Sequence, residues 1–519
     1  MNPIADIHAH PQLKPLNANE AQRQKNGIWK KFTSSPRCNE LNFMLKGAVK
    51  DTKKQSQSNF DQAIDGDIKG VFLAMGPVER NFFDPKRKHW MLKIILQSKS
   101  LEDFAACLTG FDIEKVEKIF TRVREKRGID YYLEELLPEY QFLAEQEADE
   151  RMAIALNYND FKNTFEKEGK IASLLTIEGA HSLGNYTEKT DFWAKIGEAN
   201  QTKIYDRLMP HFENNITHMK NWGSGAHCPF FITFCHHFSN LLAGHAKSFS
   251  PGSFFKPGMD DLLDQRNGKN EGFSRMGWDV LELLTSKSNG RRVLIDVKHM
   301  SVKSRMEYFH YLEKNYWSKG EEFPVICSHG ALNGYRSLEE SLKPDKRSRW
   351  NRHYLSKQAI NMSDEEAAIL ARSKGLFGIV LHGGRLPGGK AKKLMKKAFT
   401  SDEIRDAAVE LIMSNIFHFV RAVGDQKAWD CIALGTDMDG VIEALPPYTN
   451  YSNLRMLPLH LTQFFHRPFS LDGIGMSRDE VSNWMFDLSP EQLTEKLMSG
   501  NVLNFLKRFF TDDYLVDRV

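Results

Sequence analysis

The chain has 519 residues, 26% of them charged and 41% hydrophobic, and its 70 Lys and Arg against 67 Asp and Glu leave a formal charge of +3. That balance excludes a disordered or collagen-like chain and gives no electrostatic footing for nucleic acid. The longest apolar runs, such as 71–75 and 171–177, are strand-sized and far short of the about 20 residues of a spanning helix, so a soluble chain with no membrane role is expected.

Eight short runs rich in Val, Ile, Leu and Phe follow one another along the chain: about 3–8, 69–75, 172–178, 230–235, 293–297, 324–328, 376–381 and 431–435. Each is almost continuously apolar, as parallel strands covered on both faces are. Helical periodicity fills stretches between and after them, at 132–148, 276–286, 364–373, 401–423 and 490–509. Strand alternating with helix over most of the chain predicts an α/β fold, and a count of eight strands points to a (β/α)8 TIM-like barrel. A plain strand–helix unit needs only about 30 residues. The longer gaps therefore predict large insertions at about 12–60, 78–150, 180–228, 240–275 and 334–358. With no internal repeat or Pro/Ser linker, residues 1–519 are read as one elaborated domain rather than the three or four that length alone suggests.

The first run ends Asp6-Ile-His8-Ala-His10, and alternate residues of a strand point the same way, so two imidazoles can stand side by side at its C-terminal end. One such triplet among 18 histidines is within chance expectation. The placement recurs, however. The third run ends in Glu178-Gly-Ala-His-Ser, the fifth in Asp296-Val-Lys-His299, the sixth in Cys327-Ser-His329 and the eighth in Gly435-Thr-Asp437-Met-Asp439-Gly440. All strands of a parallel barrel open on one face, so these groups are expected to converge there, with the ingredients of a two-metal hydrolase site. His181, His237, His245 and His382 are read individually as structural. The six scattered cysteines form no CxxC pair and are read as free thiols in a reducing, cytoplasmic setting, with no signal peptide visible at the N-terminus.

These fragments, taken in order, resemble the membrane (renal-type) dipeptidase family of the amidohydrolase superfamily. The segments that carry the likeness are His8/His10, 170–184, 296–301, 324–329 and 435–440, with weaker echoes at 70–75 and 500–505. The resemblance implies a dipeptidase-like metallo-hydrolase with two divalent ions, zinc first, one held by His8 and His10, the second by His299 and His329, and Glu178 bridging. It implies that Asp437 handles the proton beside the bridging water and that His236 polarises the scissile carbonyl. A small peptide or amino-acid-derived substrate and a homodimer are also implied.

Two departures stand out. The family usually has HxD where this chain has HxH. The family's carboxylate-holding Arg-Asn pair is Ile360-Asn361 here, and Ile makes no bidentate contact with a carboxylate. The basic stretch 343–352 suggests a substitute among Arg336, Arg349 and Arg352, with Arg352 and Asn361 the substrate-binding candidates. Another amidohydrolase reaction (lactone, phosphoester or deamination) and a non-catalytic scaffold with partner-binding insertions are the alternatives.

Overall fold

The computed structural model describes residues 3–32, 55–84, 100–188, 194–200, 202–249, 263–343 and 352–517. Eight parallel strands close into a ring: β1 (Ile4–Ala9), β2 (Ile68–Met75), β3 (Ile171–Glu178), β4 (Phe231–Thr233), β5 (Leu294–Asp296), β6 (Ile326–Gly330), β7 (Leu376–Ile379) and β8 (Ile432–Leu434). Neighbours in sequence are neighbours in the ring, and β8 returns to pair with β1 through Leu434 and Asp6. All eight expected strands are present. Their residues are buried almost without exception, which is why they read as continuous apolar runs rather than alternating ones.

A further strand, Met152–Ile154, pairs with the start of β3, leaving its end free for β4. Helices follow the strands on the outside, among them Thr202–Lys220, Arg275–Thr285, Val302–Asn315, Asp364–Arg372 and Ser401–Val423. The last of these runs over the residues its periodicity indicated. Thr400 and Glu403 form a reciprocal cap at its start, and Gly424 ends it in the left-handed region. The helix expected at 490–509 is real, with one wide turn at Lys496–Gly500 where Asn501 enters the core. The Asn501 side-chain amide donates to Trp429 O and Ile432 O at 2.7 Å, locking the C-terminal helix under β8.

Two buried aspartates lace the strand ends. Asp6 accepts from the Thr436 amide and hydroxyl, from Tyr451 Oη and from the His8 amide, tying β1 to β8. Asp296 accepts from the Thr233 hydroxyl, the Ser328 amide and hydroxyl, and the Lys298 amide, tying β4, β5 and β6. Each of these donors would be a buried orphan without its carboxylate, at about 1–3 kcal/mol apiece. Glycines let the strands close up beside them. A Cβ on Gly378 or Gly435 would lie 1.9 Å from Ser328 O, which gives the glycine of the 435–440 motif its physical meaning.

One expectation is corrected. Cys228, Cys235, Cys327 and Cys431 are free thiols, but Cys107 is disulfide-bonded, so the cysteines are not uniformly reduced. The scattered spacing carries no signal for this pairing. Among the described residues no helix is long and apolar enough to cross a membrane.

Candidate metal centre

The C-terminal ends of the strands bring the predicted residues together. His8 and His10 emerge from β1 with ring centroids 4.9 Å apart, and His8 lies 4.0 Å from His329 of β6. Glu178, the last residue of β3, sits at the centre and is 4% exposed. Its Oε1 lies 3.5, 3.4 and 3.6 Å from Nε2 of His8, His299 and His329, and its Oε2 lies 3.3 and 3.5 Å from Nε2 of His10 and His236. Asp437 closes the ring from β8, with Oδ1 3.6 Å from His10 and Oδ2 4.0 Å from His329.

Three of these side chains depend on unusual backbone. His299 and Asp437 have φ of 65° and 59°, and Gly179, directly after Glu178, has φ of 101°. A Cβ on Gly179 would meet the His181 ring at 2.3 Å, so the residue after the central carboxylate has to be glycine. Left-handed residues after β5 and β8 turn the chain so that side chains three residues beyond the strands face inward.

The donor set fits divalent cations. Both ring nitrogens of His8 and of His10, and Nδ1 of His299, are buried without a hydrogen-bond partner. Buried, unpaired imidazole nitrogens around a carboxylate are costly unless a cation joins them. Burial holds His299 down to about 3, and burial with the neighbouring His8 and Lys298 charges holds His329 well below the ordinary histidine range. Both are therefore neutral, the form that ligates metal. Ser328 Oγ donates to Asp296, so it accepts from His329 Nδ1 at 3.0 Å and leaves the Nε2 lone pair facing the centre. Burial opposes ionisation of Glu178, but the surrounding histidines, His236 and His8 foremost, outweigh it and keep the carboxyl well below its usual range.

Sequence reasoning missed Glu79. It lies in the loop after β2, is 3% exposed, and faces His236 Nδ1 at 2.9 Å while accepting from the His237 and Phe238 amides. Burial alone would raise its carboxyl, yet His236 and these donors bring it down to about 2. Glu79 thus fixes the His236 ring with Nε2 towards Glu178. The Glu79→Gln variant is expected to keep its metal and lose about 10- to 100-fold in turnover, the usual size of an outer-partner effect, as read by steady-state kinetics beside elemental analysis.

The remaining candidates divide. His181 Nε2 bonds Pro77 O and His245 bonds Ala246 O and Asn267 O, as structural histidines do. His237 bonds Ser248 Oγ, yet its ring lies 4.8 Å from that of His299, at the edge of the centre. Asp439 of the 435–440 motif is structural. It receives Lys14 Nζ, the Gln57 and Ser58 amides and the Ser58 hydroxyl. Arg336 and Arg352 are exposed at the surface, and Arg349 lies outside the described residues. Ile360 and Asn361 are buried, and the Asn361 amide holds Ser356 O and Arg385 O. Two guanidinium groups reach this region: Arg305, which donates to Ala359 O and pairs with Glu366, and Arg385, from the loop after β7, which donates to Gln358 Oε1.

No family model and no curated protein matches the sequence. Solved structures do. The dipeptidase AC, described as a metallopeptidase of family M19, matches over 98% of this chain and 99% of its own, at 14% identity and a TM-score of 0.51. A metallopeptidase from Rhodobacter sphaeroides, solved with a phosphinate mimic of the dipeptide L-Ala-D-Ala, matches with the same coverage, identity and score. Over nearly its whole length, this chain has the fold of those two metallopeptidases.

Proposed function

We propose that the chain is a binuclear metal-dependent hydrolase that cleaves an amide bond of a dipeptide or small amino-acid conjugate. The observation that carries this reading is Glu178, a buried carboxylate whose two oxygens face five imidazoles drawn from four other strands. His8 and His10 would hold one ion and His299 and His329 the other, with Glu178 shared, a donor set that suits zinc. Such ions, when bound, polarise the scissile carbonyl and bring the pKa of a shared water from 15.7 towards about 7.

The chain's own groups do the rest. Asp437, at the open side of the cluster, is placed to take the water's proton and return it to the leaving amine. His236, steadied by Glu79, presents Nε2 to the oxygen that becomes negative. Water is thereby added across the C–N bond, its hydroxyl to the acyl carbon and its proton to nitrogen.

The test combines metal analysis with a substrate panel. The purified protein is expected to carry about two divalent ions per chain, to lose activity on chelation and to regain it with zinc. The panel holds dipeptides, because the Rhodobacter sphaeroides neighbour was solved with a dipeptide mimic, together with N-acyl amino acids, lactones and phosphoesters. A protein that binds no metal, or one that turns over lactones or phosphoesters in preference to every amide, overturns the reading.

A further inference from the structure

Charge around the mouth of the barrel is distributed unevenly. Every described acid near the centre is already engaged. Glu178 is enclosed by histidines, and Asp437 lies between His10 and His329. Glu79 is held by His236 and two amides. Glu139, behind β1, accepts from Gln12 Nε2 and the Gly76 amide. Asp6 and Asp296 bind strand ends, and Asp439 binds Lys14, Gln57 and Ser58.

The cations are in the opposite condition. Lys298, 2% exposed, has no hydrogen-bond partner for its ammonium. Arg385, 9% exposed, donates to Gln358 Oε1 at 2.6 Å and to Ser248 O, both neutral oxygens, and pairs with no acid among the described residues. Lys298 directly precedes His299, and the Arg385 guanidinium, on Ser248 O, stands one residue from Phe249, whose ring stacks on His237 beside His299. Lys298 follows β5 and Arg385 follows β7. Neither buried cation forms an ion pair among the described residues, a standing cost that an anionic ligand removes.

The Arg385 loop is built to stay in place. Gln358 Nε2 holds Gly384 O, Asn361 Nδ2 holds Arg385 O, and the Arg385 amide bonds His382 O. Ser248, whose carbonyl receives the guanidinium, precedes Phe249, and that ring stacks on His237 at 4.9 Å with Phe82 5.7 Å away. An aromatic wall therefore adjoins the cationic side.

We propose that Lys298 and Arg385 form an anion subsite for the free carboxylate of a substrate whose amine is acylated, so that N-acyl amino acids are preferred to free dipeptides. This rests on the amide-hydrolase reading and chooses within it. A free dipeptide brings an ammonium as well as a carboxylate, and no unengaged acid among the described residues awaits the ammonium. An N-acyl amino acid brings only the anion. Hydrolysis breaks its acyl C–N bond, water supplies the hydroxyl to the acyl carbon and the proton to nitrogen, and a carboxylic acid and an amino acid leave.

The test uses the full-length, metal-loaded protein with both enantiomers of N-acetylphenylalanine, N-acetylphenylalaninamide and glycylphenylalanine. For the unaltered protein, kcat/KM on N-acetylphenylalanine is expected to exceed that on glycylphenylalanine by at least about tenfold, equivalent to about 1.4 kcal/mol. In Arg385→Met the acid-over-amide preference is expected to fall by at least about tenfold, mainly through KM, with partial recovery in Arg385→Lys. Preference for the free dipeptide overturns the proposal, as does an equal loss on acid and amide in Arg385→Met. If the metal-loaded protein cleaves none of the three, the hydrolase reading fails, and calorimetry then decides the subsite alone. Tighter binding of N-acetylphenylalanine than of its amide, lost in Arg385→Met, supports it, and equal binding of the two by the unaltered protein overturns it.

Discussion

Glu178→Gln is expected to cost both metal positions at once, with metal affinity reduced by more than about 100-fold, beyond the range seen when only an outer partner of a ligand is removed. The amide keeps the size of the carboxylate but not its charge, and one of its two ends becomes a donor. Oε1 now faces His8, His299 and His329 while Oε2 faces His10 and His236, so whichever end becomes NH2 confronts imidazoles that need a shared anion or cation. Elemental analysis and zinc titration measure the effect, and activity is expected to vanish with the metal. A variant that retains two ions and near-normal turnover would remove Glu178 from the centre of the site.

Asp437→Asn separates metal binding from proton transfer. The backbone of Asp437 has φ of 59°, and asparagine tolerates that region better than almost any other residue with a side chain. The substitution therefore leaves the loop after β8 in place and removes only the capacity to accept a proton. Turnover is expected to fall by about 10²–10⁴-fold, roughly 3–5 kcal/mol in the barrier, with metal content held near that of the unaltered protein. Asp437→Ala would add backbone strain and blur the comparison. Parallel loss of metal in Asp437→Asn would make the residue a ligand rather than the proton carrier.

The barrel was legible because each of its strands is buried on both faces and so wrote itself as an apolar run. The centre was legible because strand ends are fixed points: His8, Glu178, His299, His329 and Asp437 each stand at or just beyond one. Residues whose role comes from a loop's path left no such mark. Glu79 follows Gly76-Pro-Val with nothing to distinguish it from any surface acid, and only the fold shows it buried against His236. Asp437 and Asp439 were indistinguishable by pattern, and a two-residue offset across a left-handed turn sends one to the histidines and the other to Lys14 and Ser58. The most basic stretch of sequence, 343–352, ends at the exposed Arg352, whereas the buried Arg385 stands alone between glycine and leucine. Charge density along a chain tracks solvent exposure and thus pointed away from the interior.

The two lacing aspartates divide the rim into a pair of stiff units. Asp6 couples the segment carrying His8 and His10 to the one carrying Asp437, while Asp296 couples those carrying His236, His299 and His329. Glu178, on a strand that neither aspartate reaches, faces histidines of both units. β7, paired with both β6 and β8, sets the separation of one unit from the other on that side of the ring. A change that widens or narrows the gap moves whole sets of ligands together, so altered spacing, rather than scattered loss of individual donors, is the way this architecture would drift.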